Sequence, residues 1–422
     1  MVISECRICG NGELVPVLDL GVQAITSVFP RTPGDPVPRV PLELVKCGPG
    51  GCGLVQLRHT TDAGAMYTTG SYGYRSSIRP FMVDHLRGIV RGVLDRVDLV
   101  PGDLVVDIGS NDSTLLRAYP REGIGEGIGL VGIDPTGEQF RPLYPDGIDL
   151  IPTYFSREAF AAEFGDRKAK VVTSIAMFYD LPRPMDVMRD IHDILDDDGV
   201  WVSEQSYLPS MLADNAYDVV CHEHLEYYAL RQFEWMAERV GLTVVDAEIT
   251  PVYGGSLNLT MAKRGGRHRT ASPAVAELRR RESALELEGL RPYETLAATA
   301  ARQRAALRSF LDDSRAAGRL TVGYGASTKG NVILQYCGLT PDDLPCIGEF
   351  NADKSGRFTP GTHIPIVSEE DAHALRPDQL LVLPWTFRDD FLSREQGYLA
   401  GGGRLVFPLP EMQIVPGETV AV

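Results

Sequence analysis

The run Cys221-His-Glu-His-Leu-Glu-Tyr-Tyr228 crowds two imidazoles, two carboxylates and two phenols into one short segment, and three chemistries compete for it. Spacing disfavours a metal. His222 and His224, at i and i+2, lie about 200° apart on a helix, so they do not chelate from one helical face. Nor is the run H-E-x-x-H, because position 226 is Glu. A polar surface turn remains open. A proton relay suits the residue types best, since an imidazole of pKa about 6.5 is matched to proton abstraction at neutral pH. His224 is the expected base, with Glu223, His222 and Tyr179 as alternatives, and Glu223 could orient an imidazole through its second nitrogen. Tyr72, Tyr74 and Tyr179 are candidate donors to a developing oxyanion, because a phenol of pKa about 10 donates without ionising.

Four of the seven cysteines form two hooks, Cys6-x2-Cys9 and Cys47-x4-Cys52. Two hooks deliver the four thiolates of a closed tetrahedral zinc site, whose role is structural because no coordination position stays open. Glycines in CRICGNGEL and CGPGGCGL allow the tight turns such hooks need.

Two glycine turns of opposite charge follow. DLVVDIGSNDSTLLRAY reads as strand, turn and helix, with Asp107, Gly109, Ser110, Asn111 and Asp112 around the turn. LVGIDPTG supplies a second strand ending in Asp134, placed to accept ribose hydroxyls, and AKVVTSIAMF a further one carrying Ser174. The first turn lacks G-x-G-x-x-G, and its acidity repels a pyrophosphate while suiting a cationic ligand such as S-adenosylmethionine. The later RLTVGYGASTKGN is the reverse. Tyr324, Gly325, Ser327, Thr328 and Lys329 bring amides, hydroxyls and a cation to a helix start, which suits phosphate, although the spacing is not that of a P-loop. Asn351, Asp353, Lys354 and Trp385 fall near later strand ends, where a nucleotide would bind.

These residues need a scaffold of several units, and 422 residues allow it. The pattern predicts an α/β protein: a zinc-binding domain with a Tyr-rich loop over 1–80, a Rossmann-like domain over 81–265, a helical connector over 266–318 and a second Rossmann-like α/β domain over 319–422. A hydrophobic fraction of 44% and a charged fraction of 23% are those of a globular chain, and no apolar stretch is long enough to span a bilayer. The N-terminal residues lack a basic segment followed by an apolar core, so a cytoplasmic location is expected. A formal net charge of −16 makes nucleic acid a poor partner.

Taken in order, the Cys hooks, DIGSND, HEH and GYGASTKGN resemble the three-domain bacterial sugar-nucleotide C-methyltransferases, over essentially the whole chain. The resemblance implies an S-adenosylmethionine-dependent enzyme with structural zinc that methylates a carbon next to a ketone on an NDP-sugar, dTDP in particular, in antibiotic deoxysugar biosynthesis. It implies that the C-terminal domain grips the nucleotide and that the Tyr72/Tyr74 loop reaches across the cleft. Three positions depart from the family: Ser113 where a third Gly is common, Cys221 where Tyr precedes the His-Glu-His run, and Phe178-Tyr179-Asp180 where a His follows the fourth strand. The sugar, the methylated carbon and the choice between monomer and small homo-oligomer stay open. So do O- or N-methylation and a non-catalytic scaffold. An NAD(P) oxidoreductase is disfavoured, since the late turn lacks an acidic ribose ligand at the usual distance.

Overall fold

In the computed structural model, which describes residues 1–61, 64, 66, 74–120, 127–268, 270–416 and 418–419, the hook segment forms an antiparallel sheet of β1 (Leu14–Ala24), β2 (Arg39–Cys47) and β3 (Val55–Leu57). All three residues of β3 are buried, because the sheet is a wedge covered on both faces. Leu42, Leu44 and Leu57 join a core with Tyr217 and Val322, whereas Ile8 and Leu54 join another with Tyr228 and Phe233. The wedge is also pinned by polar contacts. Gln335 bonds both the amide and the carbonyl of Ala24, at 2.7 and 3.0 Å, and Asn331 donates to the Thr26 carbonyl at 2.7 Å.

The middle sheet contains β4 (Leu104–Ile108), β5 (Gly129–Ile133), β6 (Ile148–Ile151), β7 (Ala169–Ile175) and β8 (Leu195–Ser206), all parallel in the order β6-β5-β4-β7-β8. Next in the chain comes β9 (Glu226–Tyr227), which leaves this sheet and pairs antiparallel with β3 of the wedge. Then β10 (Leu242–Thr250) and β11 (Ser256–Lys263) extend the middle sheet antiparallel past β8. The third sheet runs in parallel through β12 (Thr321–Tyr324), β13 (Ile347–Glu349), β14 (Ile366–Ser368), β15 (Gln379–Val382) and β16 (Arg404–Phe407), with β17 (Gln413–Val415) and β18 (Glu418–Thr419) antiparallel at one edge. Strand order reverses at β4 in one sheet and at β12 in the other. A crevice therefore opens beyond the carboxyl ends of each. Among the described residues no helix is long and apolar enough to cross a membrane.

One buried carboxylate anchors the scaffold near the HEH run. The helix Leu230–Val240 starts after Ala229, which has no side-chain oxygen to cap it. Glu282 does so from a distant helix, accepting from the amides of Leu230 at 2.6 Å and Arg231 at 3.3 Å and from the Tyr207 hydroxyl at 2.8 Å. An anion there also meets the positive end of the helix dipole. Glu282→Ala is expected to lower the free energy of unfolding by about 2 kcal/mol. Equal urea midpoints for the variant and the parent would show that water caps this helix as well.

Candidate active site

Both crevices open into a single cavity of about 440 Å³, walled by residues of all three sheets' loops. On the acidic side, Asp107, Gly109, Ser110, Asn111 and Asp134 line it. Gly109 has φ +74, and a Cβ there would stand 2.9 Å from Met177 Cγ, so this position requires glycine. Asn111 and Ser113 also hold left-handed backbones, φ 48 and 62, at a cost of the order of 1 kcal/mol each. The Asn111 amide donates to Asp134 at 2.8 Å, and the Ser113 hydroxyl donates to the Leu143 carbonyl at 2.9 Å, so the turn is held without the third glycine. Asp134 accepts also from the amide and hydroxyl of Thr136, both at 2.6 Å. A carboxylate has about four lone-pair sites, which leaves it room for a ribose hydroxyl. Burial pushes the Asp107 carboxyl up to about 7, and a cation bound nearby would bring it back down. The turn thus fits the positively charged cofactor proposed from its composition.

Two expected cofactor residues are corrected. Ser174 is fully buried, accepting from Trp201 Nε1 at 2.9 Å and bonded to the Ser203 hydroxyl at 3.1 Å; the following Ile175 and Ala176 face the cavity instead. Asp112 is also fully buried and faces away, its oxygens taken by the Ser77 amide at 3.0 Å and the Thr114 hydroxyl at 2.6 Å. It anchors the segment that carries Tyr74. Asn111 shares that task, accepting from the Ser76 amide at 3.1 Å and donating to the Tyr74 carbonyl at 3.2 Å.

The HEH run splits by side-chain direction. His222 turns into the wedge, donates through Nε2 to the Val40 carbonyl at 3.1 Å and is fully buried, so it is not at the cavity; burial pushes its pKa down to about 4. Glu223 and His224 both line the cavity. His224 Nδ1 faces the Val219 carbonyl at 2.9 Å, which fixes the proton on that nitrogen and leaves the lone pair on Nε2. A backbone carbonyl, rather than Glu223, therefore orients this ring. Burial, and then the Lys329 ammonium, push the His224 pKa down to about 3. Burial raises the Glu223 carboxyl to about 7 against the pull of Ser27 and Lys354. The Tyr179 ring stands edge-on to His224, centroids 4.4 Å apart. Across the cavity Tyr74 hydrogen-bonds the Tyr253 hydroxyl at 2.9 Å, while Tyr72 lies outside the described residues.

On the cationic side, Ser327, Thr328, Lys329, Asn351 and Trp385 line the same space. Ser327 caps the helix Thr328–Tyr336, accepting from the Gly330 amide at 2.9 Å. Tyr324 and Gly325 do not reach the cavity, a second correction. Tyr324 bonds Glu395 within its own domain, and Gly325, at φ +83, packs so closely on Pro384 that a Cβ would meet it at 2.5 Å. Trp385 spends its indole N–H on Asp218, at 2.8 Å.

Several cavity residues carried no sequence signal. Glu204, at the end of β8, is bonded to His85 Nε2 at 2.6 Å and accepts from Thr250 and Asn258. Arg79 lies against the rings of Phe350 and Phe387, at 4.8 and 4.9 Å. They are joined by Lys354, which the sequence did place near a strand end and which donates to the Ala326 carbonyl at 2.8 Å. None of these belongs to a motif; the fold assembles them from separate segments.

The four hook cysteines converge apart from the cavity, with all sulfurs within 4.8 Å of one another and the Cys6–Cys52 and Cys9–Cys47 pairs at 3.5 Å. Four thiolates at about 2.3 Å from one ion stand about 3.8 Å apart, so this set fits tetrahedral zinc. Gly51 backs the cluster so tightly that a Cβ would lie 2.2 Å from Cys47 Sγ.

Residues 6–67 match the model of a zinc binding domain, 85–247 that of a methyltransferase domain, and 251–410 that of the C-methyltransferase C-terminal domain. The chain is 31% identical to the C-methyltransferase NovU of Streptomyces niveus over 421 residues, 99% of this chain and 98% of that one. Solved structures with partial likeness include the CcbJ methyltransferase from Streptomyces caelestis, 13% identical over 42% of this chain and 89% of that one, TM-score 0.32. Another is the magnesium protoporphyrin IX methyltransferase of Synechocystis PCC 6803, 12% identical over 43% and 79%, also TM-score 0.32.

Proposed function

This chain belongs to the S-adenosylmethionine-dependent C-methyltransferase family, and from that premise we propose that its acceptor is an NDP-activated ketodeoxysugar methylated on a carbon next to the ketone. The observation that supports this reading is the meeting of an acidic turn, a cationic turn and a histidine with a free Nε2 lone pair in one cavity. Lys329, Lys354 and Arg79 would face the diphosphate, in a protein otherwise strongly negative.

In this mechanism His224 Nε2 takes the α-proton, and the electron pair of the C–H bond becomes an enolate. Tyr179, beside the imidazole, donates to the enolate oxygen, and Tyr74 stands on the opposite wall. The bound sulfonium supplies the methyl group, which the enolate carbon accepts as the C–S bond breaks. A base held to about pKa 3 is weak, but its depression comes partly from Lys329. A diphosphate engaging Lys329 offsets that charge and raises the basicity of His224 only when the acceptor is in place. The pathway would be one of natural-product deoxysugar synthesis, as the resemblance carried by the Cys hooks, DIGSND, HEH and GYGASTKGN implies.

Lys329→Ala is expected to raise the KM for a dTDP-ketosugar by about 10- to 100-fold while leaving S-adenosylhomocysteine affinity, read by calorimetry, as in the parent. Equal loss of both would sink the assignment of the two turns to two ligands.

A further inference from the structure

Building on the reading of His224 as the base, we propose that Asp218 is a positioning residue that ties the docked C-terminal domain to the tautomer of His224. Asp218 belongs to the single turn Tyr217–Val219 and is 1% exposed. Its Oδ2 accepts from Trp385 Nε1 at 2.8 Å, and among the described residues its Oδ1 has no hydrogen-bond partner. The carbonyl of the next residue, Val219, accepts from His224 Nδ1 at 2.9 Å and from the Tyr227 hydroxyl at 3.4 Å.

A buried carboxylate with one oxygen unmet is costly, and an apolar side chain would fill such a turn more cheaply. Beside the backbone amides of Asp218 and Val219, two side chains compensate it. Both belong to the C-terminal domain: the Trp385 indole after β15 and the Lys329 ammonium after β12, which favours the charged form of Asp218. The turn that fixes the imidazole is thus held from the far side of the cavity by the same domain that would carry the acceptor. If Trp385 lets go, the turn loses its tie to the C-terminal domain, and a shift of the Val219 carbonyl would move the group that keeps the proton on Nδ1. A histidine in the other tautomer presents N–H, not a lone pair, from Nε2 and cannot take a proton there.

The test uses the full-length zinc-loaded protein, labelled with 15N in its histidine rings. Asp218→Asn retains the size and an acceptor but loses the charge, and Trp385→Phe retains a ring but loses the donor. His224→Ala identifies the His224 resonances. The parent is expected to show a pure Nδ1–H tautomer at His224 and both variants a mixture with Nε2–H. In Asp218→Asn, kcat is expected to fall about 10-fold or more while the KM for a dTDP-ketosugar and S-adenosylhomocysteine affinity stay within about twofold. A merely structural role would instead lower affinity for both ligands together with kcat, and that pattern overturns the proposal. So does an unchanged tautomer in both variants. Full turnover by His224→Ala would overthrow the base assignment alone, because the ring shifts still judge the link from Asp218 to His224.

Discussion

Replacing His224 with alanine is expected to reduce kcat by about 10²–10⁴, the share a positioned base usually supplies, with S-adenosylhomocysteine binding unchanged. The separation follows from geometry. The cavity-lining carboxylates Asp107 and Asp134 sit at the ends of β4 and β5, whereas His224 hangs from the segment between the Tyr217–Val219 turn and β9. Glu223 is the competitor, and pH tells the two apart. A base is active unprotonated. The His224 imidazole, held down to about 3 in the free enzyme, keeps its lone pair as the medium becomes mildly acidic, so kcat/KM should not fall near neutrality on its account. Glu223, raised to about 7, loses its base form as pH drops through that value. An acid limb near neutrality that disappears in Glu223→Gln, together with residual turnover in His224→Ala, would transfer the role to the carboxylate.

The parts of this site that could be read from sequence are those whose chemistry is local. A glycine with its flanking acids, or a Ser-Thr-Lys after a strand, declares a turn and its charge within a few residues, and the Cys hooks carry their own spacing. What failed was direction. In a strand the faces alternate, so a one-residue error sends a side chain to the opposite side. Ser174 was expected in the site and lies in the core against Trp201, while its neighbours Ile175 and Ala176 face the ligand space. Tyr324 fails in the same way, whereas His222 and His224, which a strand would put on one face, part because residues 221–224 form a bend and not a strand. Asp112 failed for another reason. One of its oxygens accepts from Thr114 and the other from Ser77, a partner that only the tertiary fold brings near. Asp218, Glu204 with His85, and Arg79 had no local signature, since each matters through a residue far along the chain. The two-residue strand β9 is too short to show a period, yet it joins the HEH run to the wedge.

That junction makes removal of zinc the perturbation with the widest reach. Zn²⁺ on Cys6, Cys9, Cys47 and Cys52 would hold the hooks beside four links to the segment of the HEH run and the helix after it. Arg7, next to Cys6, lies 3.5 Å from the buried Glu226 of β9. Gln232 donates to the Cys52 carbonyl at 3.0 Å, His222 donates to Val40 of β2, and β9 itself is hydrogen-bonded to β3. Structural zinc contributes on the order of 10 kcal/mol to small zinc-folded peptides, and four thiolates left without the ion would repel or take up protons and spread apart. Chelation under reducing conditions, or Cys52→Ser, is therefore expected to cut turnover by at least about 100-fold, the low end for loss of a positioned base, and to lower the thermal midpoint. S-adenosylhomocysteine binding should largely survive, because among the described residues no hydrogen bond joins the β4 and β5 turns to a hook cysteine. The readouts are bound zinc by elemental analysis, the melting curve and calorimetric affinity, each against the fraction of metal removed. Activity that persists in metal-free protein would mean that β3 and β9 hold the HEH run by packing alone. Affinity that collapses with activity would place the zinc domain's influence on the whole middle sheet rather than on the histidine segment.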